Sequence, residues 1–138
     1  MPTFDDSVVD ADEVREAVRG LAHATRRIED PAGVYAVLGS ISSALASLTQ
    51  TLHQLGNVHD APAPNTRLVA GDPHAGRAAS YRVSSELHRA AEMVHQAAEV
   101  VDRAHEVEAT IAYGAHDAPV APPPAPAPRS VRDHGLSL

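Results

Sequence analysis

Between Pro31 and Val58 the chain runs for 28 residues without an Asp, Glu, Lys or Arg, and charged sequence flanks it on both sides. Within it Val34, Leu38, Ile41, Leu45, Leu48, Leu52 and Leu55 recur at alternating steps of four and three, which keeps them on one stripe of a helix. As heptads, Leu38, Leu45 and Leu52 take position a, and Val34, Ile41, Leu48 and Leu55 take position d. Positions e and g hold Tyr35, Val37, Ser42, Ala44, Thr49, Thr51 and Gly56 instead of the charges that flank a two-stranded coiled coil. The buried stripe is therefore wider than a zipper seam, which predicts the central helix of a bundle. A membrane span is the competing reading, because the stretch exceeds the ~20 residues needed. Ten of the 28 residues, however, are Ser, Thr, Gln, Asn or His, and these would need partners in lipid.

The rest of the composition narrows the fold further. With one Phe, three Tyr and no Trp among 138 residues, a core must be built from Ala, Val, Leu and Ile, which favours close helix packing. The absence of Cys excludes disulfides and thiolate chemistry. All 11 basic residues are Arg, and the formal charge is −7. No segment is net basic, so direct binding to nucleic acid is not expected. The opening Met-Pro-Thr-Phe-Asp-Asp lacks a basic region followed by an apolar one, so a cytoplasmic location is expected and no membrane partner is.

Residues 1–9 read as a flexible lead. Ser7 or Asp10 is placed to cap a first helix over about 10–29, whose Val14, Val18, Leu21, Thr25 and Ile28 form an apolar stripe. Asp30-Pro31 marks the next boundary, with Asp as cap and Pro at the first helical position, and predicts a second helix over 31–58 that weakens at Gly56. Short connections make antiparallel neighbours. The loop 60–72 carries Leu68, Val69 and Ala70, which are placed to cover one end of the bundle, and Asp72-Pro73 repeats the boundary signal.

A third helix is predicted over 73–113. Leu87, Val94 and Val101 take position a, Val83, Ala90, Ala97, Ala104 and Ile111 take position d, Ala91 and Ala98 take e, and Met93, Val100 and Val107 take g. At about 60 Å it outruns the other two, so either it bends or breaks near Ser80 or, as the favoured reading, its end from Ala104 to Ile111 packs on another copy. Gly114 ends it, and the Ala/Pro alternation of 118–128 suits an extended spacer or a docking ligand for a partner protein.

The histidines are the main reactive content. His88, Glu92, His95 and Glu99 form one column of the third helix, extended by Asp102 and His105, and Glu92-x-x-His95 has the spacing of a di-metal ligand pair. These positions fall on the solvent side of the heptad and the second helix offers no carboxylate, so a solvated face is the expectation, with no metal, cofactor or catalytic residue assigned. No phosphate loop, nucleophile elbow or zinc-protease motif occurs. A metal-binding protein or metal-dependent enzyme using this column is the alternative. A regulator acting on nucleic acid through a partner or an oligomer, with Arg15, Arg19, Arg26 and Arg27 aligned, is the third reading.

The run Val34-Tyr-Ala-Val-Leu-Gly-Ser-Ile-Ser, continuing to Leu52-His-Gln-Leu55, resembles uncharacterised small helical proteins of high-GC Gram-positive bacteria and their mobile elements. The resemblance covers the second helix and implies no activity or site. The expectation from the sequence is an all-α, antiparallel three-helix bundle with a long third helix, spanning 10–113, completed by oligomerisation and followed by a Pro/Ala-rich disordered tail over 114–138. It would act as a non-enzymatic scaffold or adaptor. The interface residues are Val34, Leu38, Ile41, Leu45, Leu48, Leu52, Leu55, Leu87, Val94, Val101 and Ile111.

Overall fold

The computed structural model describes residues 1–62 and 67–113. Among them the protein is all-helical, with α1 over Ser7–Ala24, α2 over Gly33–Asp60 and α3 over Pro73–Glu108. The tail from Gly114 onward lies outside the described residues. No described helix is long and apolar enough to cross a membrane.

Each helix starts where local chemistry satisfies its free N–H groups, although not always at the expected residue. The cap of α1 is Asp6, whose carboxylate accepts from the backbone N–H of Val8 and Val9. Asp10 instead ties the lead onto the first turns of α1: its oxygens accept from Thr3 N at 2.6 Å and Phe4 N at 3.0 Å. Asp30 accepts from Ala32 N at 3.0 Å in a turn that precedes α2, so that helix begins two residues later than the Asp-Pro signal implies. At α3 the signal and the structure coincide: Asp72 accepts from His74 N and Pro73 occupies the first turn.

α2 and α3 pack as an antiparallel pair, because partners rise along one helix as they fall along the other: Ser42 bonds Asp102, His53 meets His88, and His59 meets Ser80. α1 packs against neither. Its apolar stripe is therefore open, with Val14 and Val18 more than half exposed. The expected third partner of the bundle thus stands apart, and the described chain is a two-helix hairpin preceded by a separate helix.

The overhang of α3 lies at the opposite end from the one expected. α3 stops at Glu108, and its final turns run beside the start of α2, where the rings of Tyr35 and His105 meet at a tilt with their centroids 4.2 Å apart. Its first two turns project beyond α2 instead, and the segment before α3 covers them. Arg67 reaches back to the last carbonyls of α2, with Nη2 on Val58 O at 2.6 Å and Nη1 on His59 O at 3.2 Å, while Nη1 also donates to Ser80 Oγ at 2.8 Å. The Arg67 carbonyl lies so close to Gly76 that a Cβ there would fall 1.8 Å from the oxygen. Leu68 and Val69, expected to supply this cover, are exposed. They belong to a tight turn in which Val69 and Asp72 exchange backbone hydrogen bonds around Ala70 and Gly71, both at positive φ.

Candidate functional site

The contact between α2 and α3 is rotated by about one residue from the a/d stripe of the heptads. On α3 the buried residues are Ser84, Ala91 and Ala98, all in the e row, with Gly76 and Ser80 below them. On α2 the buried residue is Gly56, also in the e row, and Ser42 and Thr49 of that row are half-buried. The a-row residues Leu38, Leu45, Leu52, Leu87, Val94 and Val101 are half-buried beside them. Small e-row side chains on both helices let the two backbones approach, and the a-row residues close over that contact.

One flank of the contact is polar. His53 and His88 meet through their Nδ1 atoms at 2.8 Å. His88 Nε2 lies 3.1 Å from Asp60 Oδ2, Asp60 Oδ1 accepts from Ser84 Oγ at 2.5 Å, and His53 Nε2 lies 3.6 Å from Glu92 Oε1. The Asp60 carboxylate only accepts, so His88 donates to it from Nε2–H, and in the Nδ1–Nδ1 contact one imidazole donates to the other. The hydroxyl of Ser84, and then the His88 imidazole, hold the Asp60 carboxyl below its usual range. Two glycines make room for imidazoles on this flank. A Cβ on Gly56 would stand 2.8 Å from His88 Nε2, and one on Gly39 would stand 3.2 Å from His105 Nε2.

The expected histidine column is therefore divided. His88 turns toward α2, Glu92 faces His53, and His95 pairs with Glu99 one turn along at 3.7 Å on the outer surface. Asp102 accepts from Ser42, and His105 sits against Tyr35 and Gly39 with its Nε2 buried and unpartnered. Among the described residues no group of three His, Asp or Glu is placed to hold a metal ion. Sequence spacing alone did not reveal that His53, Asp60, Gly39 and Gly56 of α2 complete this network. Their only signal was an interruption of the apolar pattern on α2 by residues in the b and e rows.

The other flank is apolar and open. In an antiparallel pair the d and g rows of both helices fall on the side away from the e and b rows. On α2 these rows hold Val34, Ile41, Leu48 and Leu55 with Val37, Ala44, Thr51 and Val58; on α3 they hold Ala90, Ala97 and Ala104 with Met93, Val100 and Val107. Between Val34 and Val58 and between Val83 and Val107 the only charged residue in them is Glu86. Leu48 and Leu55 are 40% and 49% exposed, and Met93 and Val107 are each 63% exposed. Val34 and Ile41 are half-buried, and Ile111 lies past the end of α3, 47% exposed, beside Ala32 and Tyr35. No known protein family, curated protein or solved structure matches this chain.

Proposed function

We propose that the protein is a non-enzymatic helical scaffold or adaptor of the bacterial cytoplasm, which completes a helical bundle by associating with further copies and binds partner proteins, with the Ala/Pro segment 118–128 as a reach toward them. The observation that carries this reading is the open d/g face of the hairpin, an apolar surface two helices wide and almost free of charge. Monomeric proteins rarely leave a contiguous apolar patch of such size uncovered, and a patch like this marks a site of protein association. The poverty of the core supports the same reading: Ala91 and Ala98 are the only buried hydrophobic residues among those described, and no large side chain is fully buried.

Light scattering on the full chain tests the proposal. The expected result is a mass at least twice the 14.5 kDa of one chain, returning to one chain in Leu48→Glu, which is 40% exposed on the open face. A single-chain mass for the unaltered protein at high concentration overturns it.

A further inference from the structure

We infer that the copies associate as a two-fold pair of hairpins in which α2 of each lies across α3 of the other, making a four-helix bundle with all neighbouring helices antiparallel. The inference rests on the self-association proposed above and adds the arrangement. A helix inside a four-helix bundle buries its a and d rows at the centre and uses e and g against its two neighbours. Both α2 and α3 carry small or apolar residues in e and g, yet the hairpin uses only the e side. The d and g rows therefore lack a second pair of helices, and a second hairpin supplies one of the same length and the same uncharged character.

Two features select which helix lies on which. The first is side-chain size: the d row of α2 is large, with Leu48 and Leu55, whereas the d row of α3 is alanine at 90, 97 and 104. Laying α2 on the second copy's α3 seats large side chains between small ones. Stacking like on like sets leucines against leucines and leaves alanines facing alanines. The second is charge. The outer edge of the open face on α3 carries Arg82, Arg89 and Arg103, none of which forms an ion pair among the described residues, whereas the matching edge of α2 is Ser40, Ser47 and Gln54. Placing α3 on α3 would bring two arginine rows side by side. Placing α2 on α3 instead gives each arginine row a neutral edge that can accept hydrogen bonds.

The register follows from the hairpin itself. Gly39 stands opposite His105 and Gly56 opposite His88, so Ser47 is level with Ala97 and within one residue of Gln96. A two-fold axis parallel to the helices preserves that height, which sets Ser47 of one copy beside Gln96 of the other, Ser40 near Arg103 and Gln54 near Arg89. The face is about 42 Å long for the 28 residues of α2. With two helices side by side it covers roughly 700 Å² per copy, which is the size of a standard stable interface.

The chain has no cysteine, so cysteine pairs report the arrangement directly. The full chain carrying Ser47→Cys and Gln96→Cys is oxidised and run on a denaturing gel without reductant. Within one copy these positions lie on the outer flanks of α2 and α3, too far apart for a disulfide. The expected result is conversion of most of the chain to a covalent dimer, with little from either single variant and little from Gln50→Cys with Glu99→Cys on the polar flank. A dimeric mass in solution without that cross-link overturns the arrangement, as does efficient cross-linking of Ser47→Cys alone, which would place α2 on α2. A single-chain mass for the unaltered protein overturns the self-association itself, with α1 of the same chain as the remaining cover for the face.

Discussion

At the scale of single residues, two glycines of α2 occupy similar positions but differ in what a side chain would displace. Alanine in place of glycine in a helix interior gains up to about 1 kcal/mol in helix propensity. At Gly56 the new Cβ would stand 2.8 Å from His88 Nε2, so the imidazole must move and its contacts with His53 and Asp60 are lost. Each such hydrogen bond contributes about 1 kcal/mol, and the partners left behind are only partly solvated. Gly56→Ala is therefore expected to destabilise the fold by about 1 kcal/mol in chemical denaturation. Gly39→Ala meets His105 at the gentler 3.2 Å, and His105 Nε2 has no hydrogen bond to lose, so that change is expected to be neutral or stabilising. Asp60 gives the pH dependence. Its carboxyl is held below the usual value of 3.8, so the stability it contributes is fully present above that value and is lost as pH falls through the lower value of the folded state. Melting curves should accordingly show Asp60→Asn less stable than the unaltered chain at pH 6, with the difference closing below about pH 4.

At the scale of elements, the same rows explain both what the sequence made legible and what it did not. The two long helices could be read because every three or four positions α2 repeats a large aliphatic residue and α3 alternates a large aliphatic residue with alanine, and because Asp72-Pro73 caps α3 with both a side-chain acceptor and a residue that needs none. The rotation of their contact toward the e rows could not, since periodicity identifies an apolar stripe but does not say which edge of a wide stripe meets which helix. Ser84, Ala91, Ala98 and Gly56 are too small to stand out by hydropathy, yet their size is what lets the backbones approach. The separation of α1 was equally hidden, because Val14, Val18 and Leu21 have the spacing of a packed helix whether or not a partner is present. The polar network shared this difficulty, as its members are 28 and 35 residues apart in sequence, at Asp60 with His88 and His53 with His88. The rotation makes a specific prediction. Leu45, in the a row, is half-buried against α3, whereas Leu48 is on the open face. Leu45→Glu loses its burial and brings a charge into the hairpin contact, which should cost about 3 kcal/mol and reduce the helical circular dichroism signal. Leu48→Glu should reduce the mass in solution with a smaller loss of that signal, because it removes the association and leaves the a-row contact of the hairpin in place.

At the scale of the whole molecule, the hairpin by itself buries too little to hold together well. Folding must offset roughly 1 to 2 kcal/mol of backbone entropy for every residue ordered, and a contact closed around Ala91, Ala98 and two serines supplies little apolar burial in return. Covering the d and g rows removes Leu48, Leu55, Met93, Val100 and Val107 from water in the same event. Stability in the proposed assembly is then inseparable from association, and mass action makes it depend on concentration. For a pair of chains, a hundredfold rise in concentration adds about 2.7 kcal/mol to the assembled state, on the scale of RT ln 100. Spread over the unfolding entropy of two chains of this length, that corresponds to a rise of about 5 °C in the melting temperature. Melting curves followed by circular dichroism across that range should show the rise in the unaltered chain. They should show none in Leu48→Glu, which should melt at one lower temperature throughout, because its hairpin no longer exchanges with an assembled state. A melting temperature independent of concentration in the unaltered chain would mean that its folding is complete within one copy, and that the open face does not contribute to its stability.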